Sequence, residues 1–277
     1  MSGLAGIHVA CRALSFAYVE GDRSIPAVNE VWLEAAPGSS TALLGPSGSG
    51  KSTLLLLLRG LLEADAGTVE LDGVAPGAAG YPALQRSVGL VFQQAERQLF
   101  AASARDDVAF GPRQLGWPES DVEQAVAESL ERVGLPMQRF GERHPYSLSG
   151  GEQRRLALAG VLAMRPRALL LDEPFVSLDP GARRVLAAVL DGLRDAGLTL
   201  ILATHDVDQA WALCDGRIVL AGGRVAAAGG WEFEAGGEET LRAHCLRTPS
   251  LVELWRRLGR PVAEAPRTPA AAAEALL

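Results

Sequence analysis

The stretch Gly45-Pro46-Ser47-Gly48-Ser49-Gly50-Lys51-Ser52-Thr53 constrains the chain more than any other. It fits G-x-x-x-x-G-K-[S/T] in full. It follows a short apolar run, Thr41-Ala42-Leu43-Leu44, and precedes a leucine-rich helical pattern over Thr53 to Leu62. Strand, glycine turn and helix in that order build a cradle for phosphate. The glycines let the backbone turn tightly with its N–H groups inward, and the helix N-terminus adds the positive end of its dipole. A Gly/Ser linker would need none of these flanking patterns. Lys51 is the only lysine, against 25 arginines. In a chain that otherwise uses arginine, this site keeps a compact ammonium, which suits a point contact to β- and γ-phosphates better than a planar guanidinium. Ser52 offers a hydroxyl to Mg²⁺. These residues point to nucleotide binding and an α/β core.

A second element supplies acid. Ala168-Leu169-Leu170-Leu171 reads as a buried strand with Asp172 and Glu173 at its C-terminal edge, the edge where open α/β sheets bind ligands. Asp172 is expected to hold Mg²⁺ and Glu173 to polarise an attacking water as general base. Any one strand can end in solvated acids; a preceding phosphate loop gives these two a task. Between the two motifs lies Leu148-Ser149-Gly150-Gly151-Glu152. Ser149 and Glu152 have the spacing of a capping box. A capping box does not require Gly150-Gly151, which form a second bare anion-binding surface of backbone N–H groups.

With these motifs in place the chain resembles the ATP-binding cassette (ABC) ATPases over about residues 5–228. "GPSGSGKST" is similar to their Walker A loop, "LLLDEP" to Walker B and "LSGGE" to the family signature. "SLDP", with Ser177, Leu178 and Asp179, is similar to the D-loop. His205, after the apolar run from Thr199 to Ala203, resembles the switch histidine, and Gln93 the Q-loop glutamine that senses Mg²⁺ and water. Tyr18 resembles the aromatic that stacks on adenine; Phe16 competes for that role, and either could be a core aromatic of a β-hairpin. The resemblance implies a P-loop core with an antiparallel β subdomain, a helical subdomain over about 94–162 and a short C-terminal appendage over 231–277, a candidate dimerisation segment. It also implies a dimer with ATP sandwiched between the Walker A loop of one subunit and Ser149, Gly150, Gly151 and Glu152 of the other. His205 would contact the γ-phosphate.

Subfamily signals are more local. Gln98-Leu99-Phe100 and Asp107-Val108-Ala109-Phe110-Gly111-Pro112 resemble the ATPases of energy-coupling-factor (ECF) importers, although Gln94-Ala95 stands where those usually carry Asn-Pro. Thr248 to Pro261 and the final "TPAAAAEALL" resemble the C-terminal segment of the same group. Such importers take up vitamins, cobalt or nickel. The resemblance therefore implies a second ABC ATPase, identical or similar, a membrane coupling protein and a substrate-binding membrane protein as partners, at the cytoplasmic face of the membrane. Gln98, Leu99 and Phe100 would face the coupling protein; the alternative is that the apolar pair packs inside the helical subdomain. An ATPase of another ABC importer or of an exporter would share all the chemistry.

Composition narrows the rest. A formal charge of −7 argues against a nucleic-acid partner. The three cysteines have neither metal nor redox spacing. The densest apolar run, Leu54 to Leu58, is too short to cross a bilayer. No basic-then-apolar leader is read at the N-terminus.

Overall fold

The chain opens with two long strands, β1 (Val9–Glu20) and β2 (Arg23–Ala35), paired antiparallel about the turn at Gly21 and Asp22. The computed structural model describes residues 5–231 and 238–276. After β2 come β3 (Ser40–Leu44) and α1 (Lys51–Arg59), and β4 (Ala66–Leu71) then returns to the free edge of β1. The helix α2 (Tyr81–Arg86) leads into β5 (Val88–Val91). Four helices follow: α3 (Ala104–Gln114), α4 (Glu119–Arg132), α5 (Met137–Phe140) and α6 (Gly150–Leu162). The chain then alternates through β6 (Ala168–Asp172), α7 (Pro180–Asp195), β7 (Thr199–Thr204), α8 (Val207–Leu213) and β8 (Gly216–Ala221). It closes with β9 (Arg224–Gly229), α9 (Glu238–Ala243), α10 (Ser250–Arg257) and α11 (Pro269–Leu276).

Two sheets result. The smaller has the order β2-β1-β4 and is antiparallel. The larger runs β5-β6-β7-β3-β8-β9, parallel except for the last hairpin. Parallel strands covered on both faces need unbroken apolar runs, and every residue of β3, β5, β6 and β7 is buried. The register matters for function. Leu44 pairs with Thr204, and Asp172 with Ala203. Three adjacent strands therefore end together, and Gly45, Glu173 and His205 leave the sheet at one edge.

The α1 helix is shorter and earlier than its leucine pattern predicts. Gly50 and Gly60 close its two ends in the left-handed region, at φ 100° and 73°, and a glycine in that conformation ends a helix wherever the apolar periodicity would let it continue. Its Leu54, Leu55, Leu57 and Leu58 fill the space between the two sheets, each contributing roughly 1.5–3 kcal/mol by burial. A second apolar cluster runs from α3, α4 and α6 through α7 and α8 to Val252 and Trp255 of α10. The C-terminal helices share this core. Trp231 donates from Nε1 to the Cys214 carbonyl at 2.9 Å, and Arg247 pairs with Asp208 at the start of α8. The expected boundary after residue 230 adjoins residues 232–237, which lie outside the described residues. Gly222 and Gly223 turn the β8–β9 hairpin. Among the described residues no helix is long and apolar enough to cross a membrane.

Candidate active site

The phosphate loop starts where β3 stops. A Cβ on Gly45 would run into the Leu220 carbonyl, and one on Gly50 into the Ala27 carbonyl; both residues also have positive φ. No other residue type fits either place. Pro46, Ser47 and Gly48 form an exposed rim, whereas Ser49 is buried with its hydroxyl unpartnered by protein. Lys51 is buried and donates from Nζ to the carbonyls of Gly45 at 2.8 Å and Pro46 at 3.0 Å. Burial lowers its pKa, opposed by the nearby charges of Glu173 and Asp172. Thr53, one turn into α1, meets the Tyr18 hydroxyl at 3.2 Å. Tyr18 is half exposed and packs edge-on against Phe16 at 4.9 Å. Of the two aromatics, Tyr18 is the one joined to the loop's helix.

Asp172 ends β6 in a buried position. Its Oδ1 has no protein partner, and burial pushes its pKa up, opposed chiefly by a hydrogen bond from the Ser52 hydroxyl. A buried carboxylate oxygen beside a serine hydroxyl is the donor set that Mg²⁺ takes from protein when phosphates and water supply the rest. These two residues therefore fit the ion.

Glu173 is held on both carboxylate oxygens. Thr204 donates from Oγ1 to Oε2 at 3.1 Å, and His205 Nδ1 lies 2.8 Å from Oε1. Thr204 Oγ1 also accepts from the Asp206 backbone N–H at 3.0 Å. Glu173 itself sits at φ 46°, a conformation seldom adopted outside glycine. Its backbone N–H donates to the Ala203 carbonyl at 2.8 Å. The His205 ring is more than half exposed. A fixed carboxylate, an exposed imidazole and a lysine at one sheet edge can bind a triphosphate end and activate water beside it.

The remaining motif residues lie around this edge. Gln93 is exposed, two residues beyond β5, and its carbonyl accepts from Arg154 Nη2 at 2.9 Å. Ser149 caps α6 in a complete capping box with Glu152, whose Oε2 accepts from the Ser149 N–H at 2.8 Å. A Cβ on Gly150 would meet open space, whereas one on Gly151 would press on Ala182 at 2.8 Å. Gly150 thus leaves a bare outer surface, and Gly151 lets α6 approach α7. Asp179 caps α7, accepting from the N–H groups of Gly181 and Ala182, while Ser177 stands at φ 62° and Leu178 is partly buried against the core.

One expectation is overturned. Leu99 does not face outward: it is 3% exposed and belongs to the helical core, whereas Phe100 is 62% exposed. A single 3₁₀ turn over Ala95–Gln98 fixes the phase, so that the next side chain points in and the following one out. Phe100 packs edge-on against Phe110 at 4.8 Å. With Gln98, Leu115, Leu156 and Met164 the two rings border an open groove of about 360 Å³.

Sequence reasoning also passed over Arg154 and the role of Thr204. Arg154 could have been found: it precedes Leu158, Val161 and Leu162 at helical spacing, on the face that α6 buries.

The ABC transporter family model matches residues 28–176. The chain belongs to the ABC transporter family. As an ABC ATPase it binds ATP and hydrolyses it to drive transport. It is 39% identical over 252 residues to the energy-coupling factor transporter ATP-binding protein EcfA of Methanothermobacter thermautotrophicus, covering 90% of this chain and 79% of that one. It is 43% identical over 223 residues to the cobalt import ATP-binding protein CbiO of Rhodobacter capsulatus, covering 77% and 78%. Among solved structures, cbiO1 of Clostridium perfringens, part of the ABC transporter complex cbiONQ, superposes with a TM-score of 0.72 at 32% identity, over 90% of this ABC ATPase and 98% of that chain. A post-hydrolysis cassette dimer bound to ADP and Pi gives a TM-score of 0.71 at 28% identity, over 80% and 98%.

Proposed function

We propose that this ABC ATPase powers an importer of the ECF type, working at the cytoplasmic face of the membrane with a coupling protein and a substrate-binding membrane protein, for a transition-metal ion or a vitamin. The observation that carries this reading is the extent of the similarity to EcfA. A match of 252 residues cannot be contained within residues 5–230, so it reaches into the C-terminal helices, which a generic cassette would not need. Two copies, or this chain and a similar one, enclose two ATP molecules, each held by Gly45–Thr53 of one subunit and by Ser149, Gly150, Gly151 and Glu152 of the other. The exposed Gly150 surface and the ADP-bound dimer of a similar cassette support that arrangement. Ser52 and Asp172 hold Mg²⁺, with Gln93 sensing it; the ion neutralises charge on the phosphates. Glu173 is the general base, His205 meets the γ-phosphate, Tyr18 stacks on adenine, and Ser177, Leu178 and Asp179 face the partner cassette.

The groove beside Phe100 receives the coupling protein. Phe100→Ser is expected to leave melting temperature and basal ATPase unchanged while weakening co-purification with the membrane partner about tenfold or more. Leu99→Ala is expected to do the reverse at first: a fold less stable by about 2–5 kcal/mol, seen in thermal melts of the isolated chain. Undiminished co-purification of Phe100→Ser would assign the groove elsewhere. Transport assays with cobalt, nickel and vitamins, in membranes carrying all the components, test the cargo.

A further inference from the structure

The α6 helix carries one charged side chain into the interior. Arg154 is 6% exposed. Its two terminal nitrogens are divided between two segments. Nη1 donates to the Pro174 carbonyl at 3.0 Å and the Val176 carbonyl at 2.6 Å, in the turn that follows Glu173 and leads to Ser177. Nη2 donates to the Gln93 carbonyl at 2.9 Å and to Glu96 Oε2 at 3.4 Å. The helix that bears the guanidinium begins at Gly150, in the signature.

We propose that Arg154 is a positioning residue that locks the signature helix, the Gln93 turn and the turn after Glu173 into one mechanical unit. The inference rests on the roles given above to Gln93 and Glu173. Three of the four acceptors are backbone carbonyls, so the bonds fix main-chain position, which apolar packing of α6 would leave free to slide. The fourth, Glu96, is partly exposed and at 3.4 Å is the longest of the four contacts, so it contributes least to holding the guanidinium. The guanidinium is suited to this work because its planar fork addresses two directions at once from fixed geometry. An ammonium at the same place is a single point and must favour one segment over the other. The arrangement also gives the groove beside Phe100 a route to the chemistry. A displacement of the helical region carries α6, and Arg154 passes it to the glutamine turn and to the segment leading into Asp179.

Arg154→Lys tests this in the isolated chain. Turnover is expected to fall by roughly 10²-fold, the scale on which small misplacements act, while KM and the dissociation constant for ATP without hydrolysis stay as they were. Arg154→Gln, which keeps a planar amide but reaches less far, is expected to show the same split. Glu96→Ala is expected to keep nearly full turnover. Unchanged kcat in Arg154→Lys and Arg154→Gln would overturn the proposal. So would a fall in kcat that is matched by weaker nucleotide binding and a lower melting temperature, because that is the mark of general damage. A Glu96→Ala defect as large as that of Arg154→Lys would overturn it too, by placing the role in the ion pair. Glu173→Gln measured in the same series separates the two levels: turnover surviving there removes the assignment of the base, whatever Arg154 does.

Discussion

Glu173→Gln is expected to bind ATP as the unaltered chain does and to lose turnover by about 10²–10⁴-fold, the usual cost of removing a general base. The amide keeps the shape of the side chain. Its oxygen can still accept from Thr204, and the contact to His205 survives through whichever tautomer and amide orientation suit it. The phosphate cradle keeps its geometry, because Gly45, Gly50 and Lys51 are placed by Leu220, Ala27 and the loop's own carbonyls. Only the capacity to take a proton from water is lost. A cassette that binds and cannot hydrolyse should also accumulate as an ATP-bound dimer. Steady-state ATPase with gel filtration in the presence of ATP reads both effects. Near-normal turnover would move the base elsewhere.

Lys51→Arg is expected to fail almost as badly as Lys51→Ala, although it preserves the charge. The Lys51 ammonium occupies a buried niche closed by the carbonyls of Gly45 and Pro46. The guanidinium is wider, planar and directional, and the loop cannot widen while Gly45 and Gly50 are wedged against neighbouring backbone. A charge-assisted hydrogen bond of this kind contributes about 1.5–3 kcal/mol, so both variants should bind nucleotide about 10- to 100-fold more weakly. Nucleotide titration of the pair decides the matter. Wild-type affinity in Lys51→Arg would show that charge alone suffices and that the solitary lysine carries no information.

The sheet edge was legible because strands announce themselves. Ala168 to Leu171 and Leu200 to Ala203 are unbroken apolar runs, and such runs in an α/β chain have one place to go. The loop was legible because its glycines serve needs of the backbone, which sequence states directly. The capping box at Ser149 and Glu152 likewise depends on residues three apart. What could not be read is phase and long-range contact. Leu99 and Phe100 are both apolar, and a 3₁₀ turn of four residues, with no strong signal in "AERQ", decides which is buried. Thr204 reaches Glu173 across two strands, a distance of 31 residues in the chain. Arg154 reads as one more charge in an arginine-rich helix until its carbonyl partners, 20 and 61 residues away, are seen.

Glu173 stands in a backbone conformation that costs an L-residue with a Cβ roughly 1–2 kcal/mol. Selection for sturdiness and selection for work therefore pull against each other at this one codon. Glycine would relax the main chain there and would bring no carboxylate. A laboratory programme that ranked variants of this chain by heat tolerance alone would drift toward that replacement and discard the proposed general base on the way. On the role proposed above for Glu173, the strained position and the reacting group coincide, so the cost in stability is tied to function.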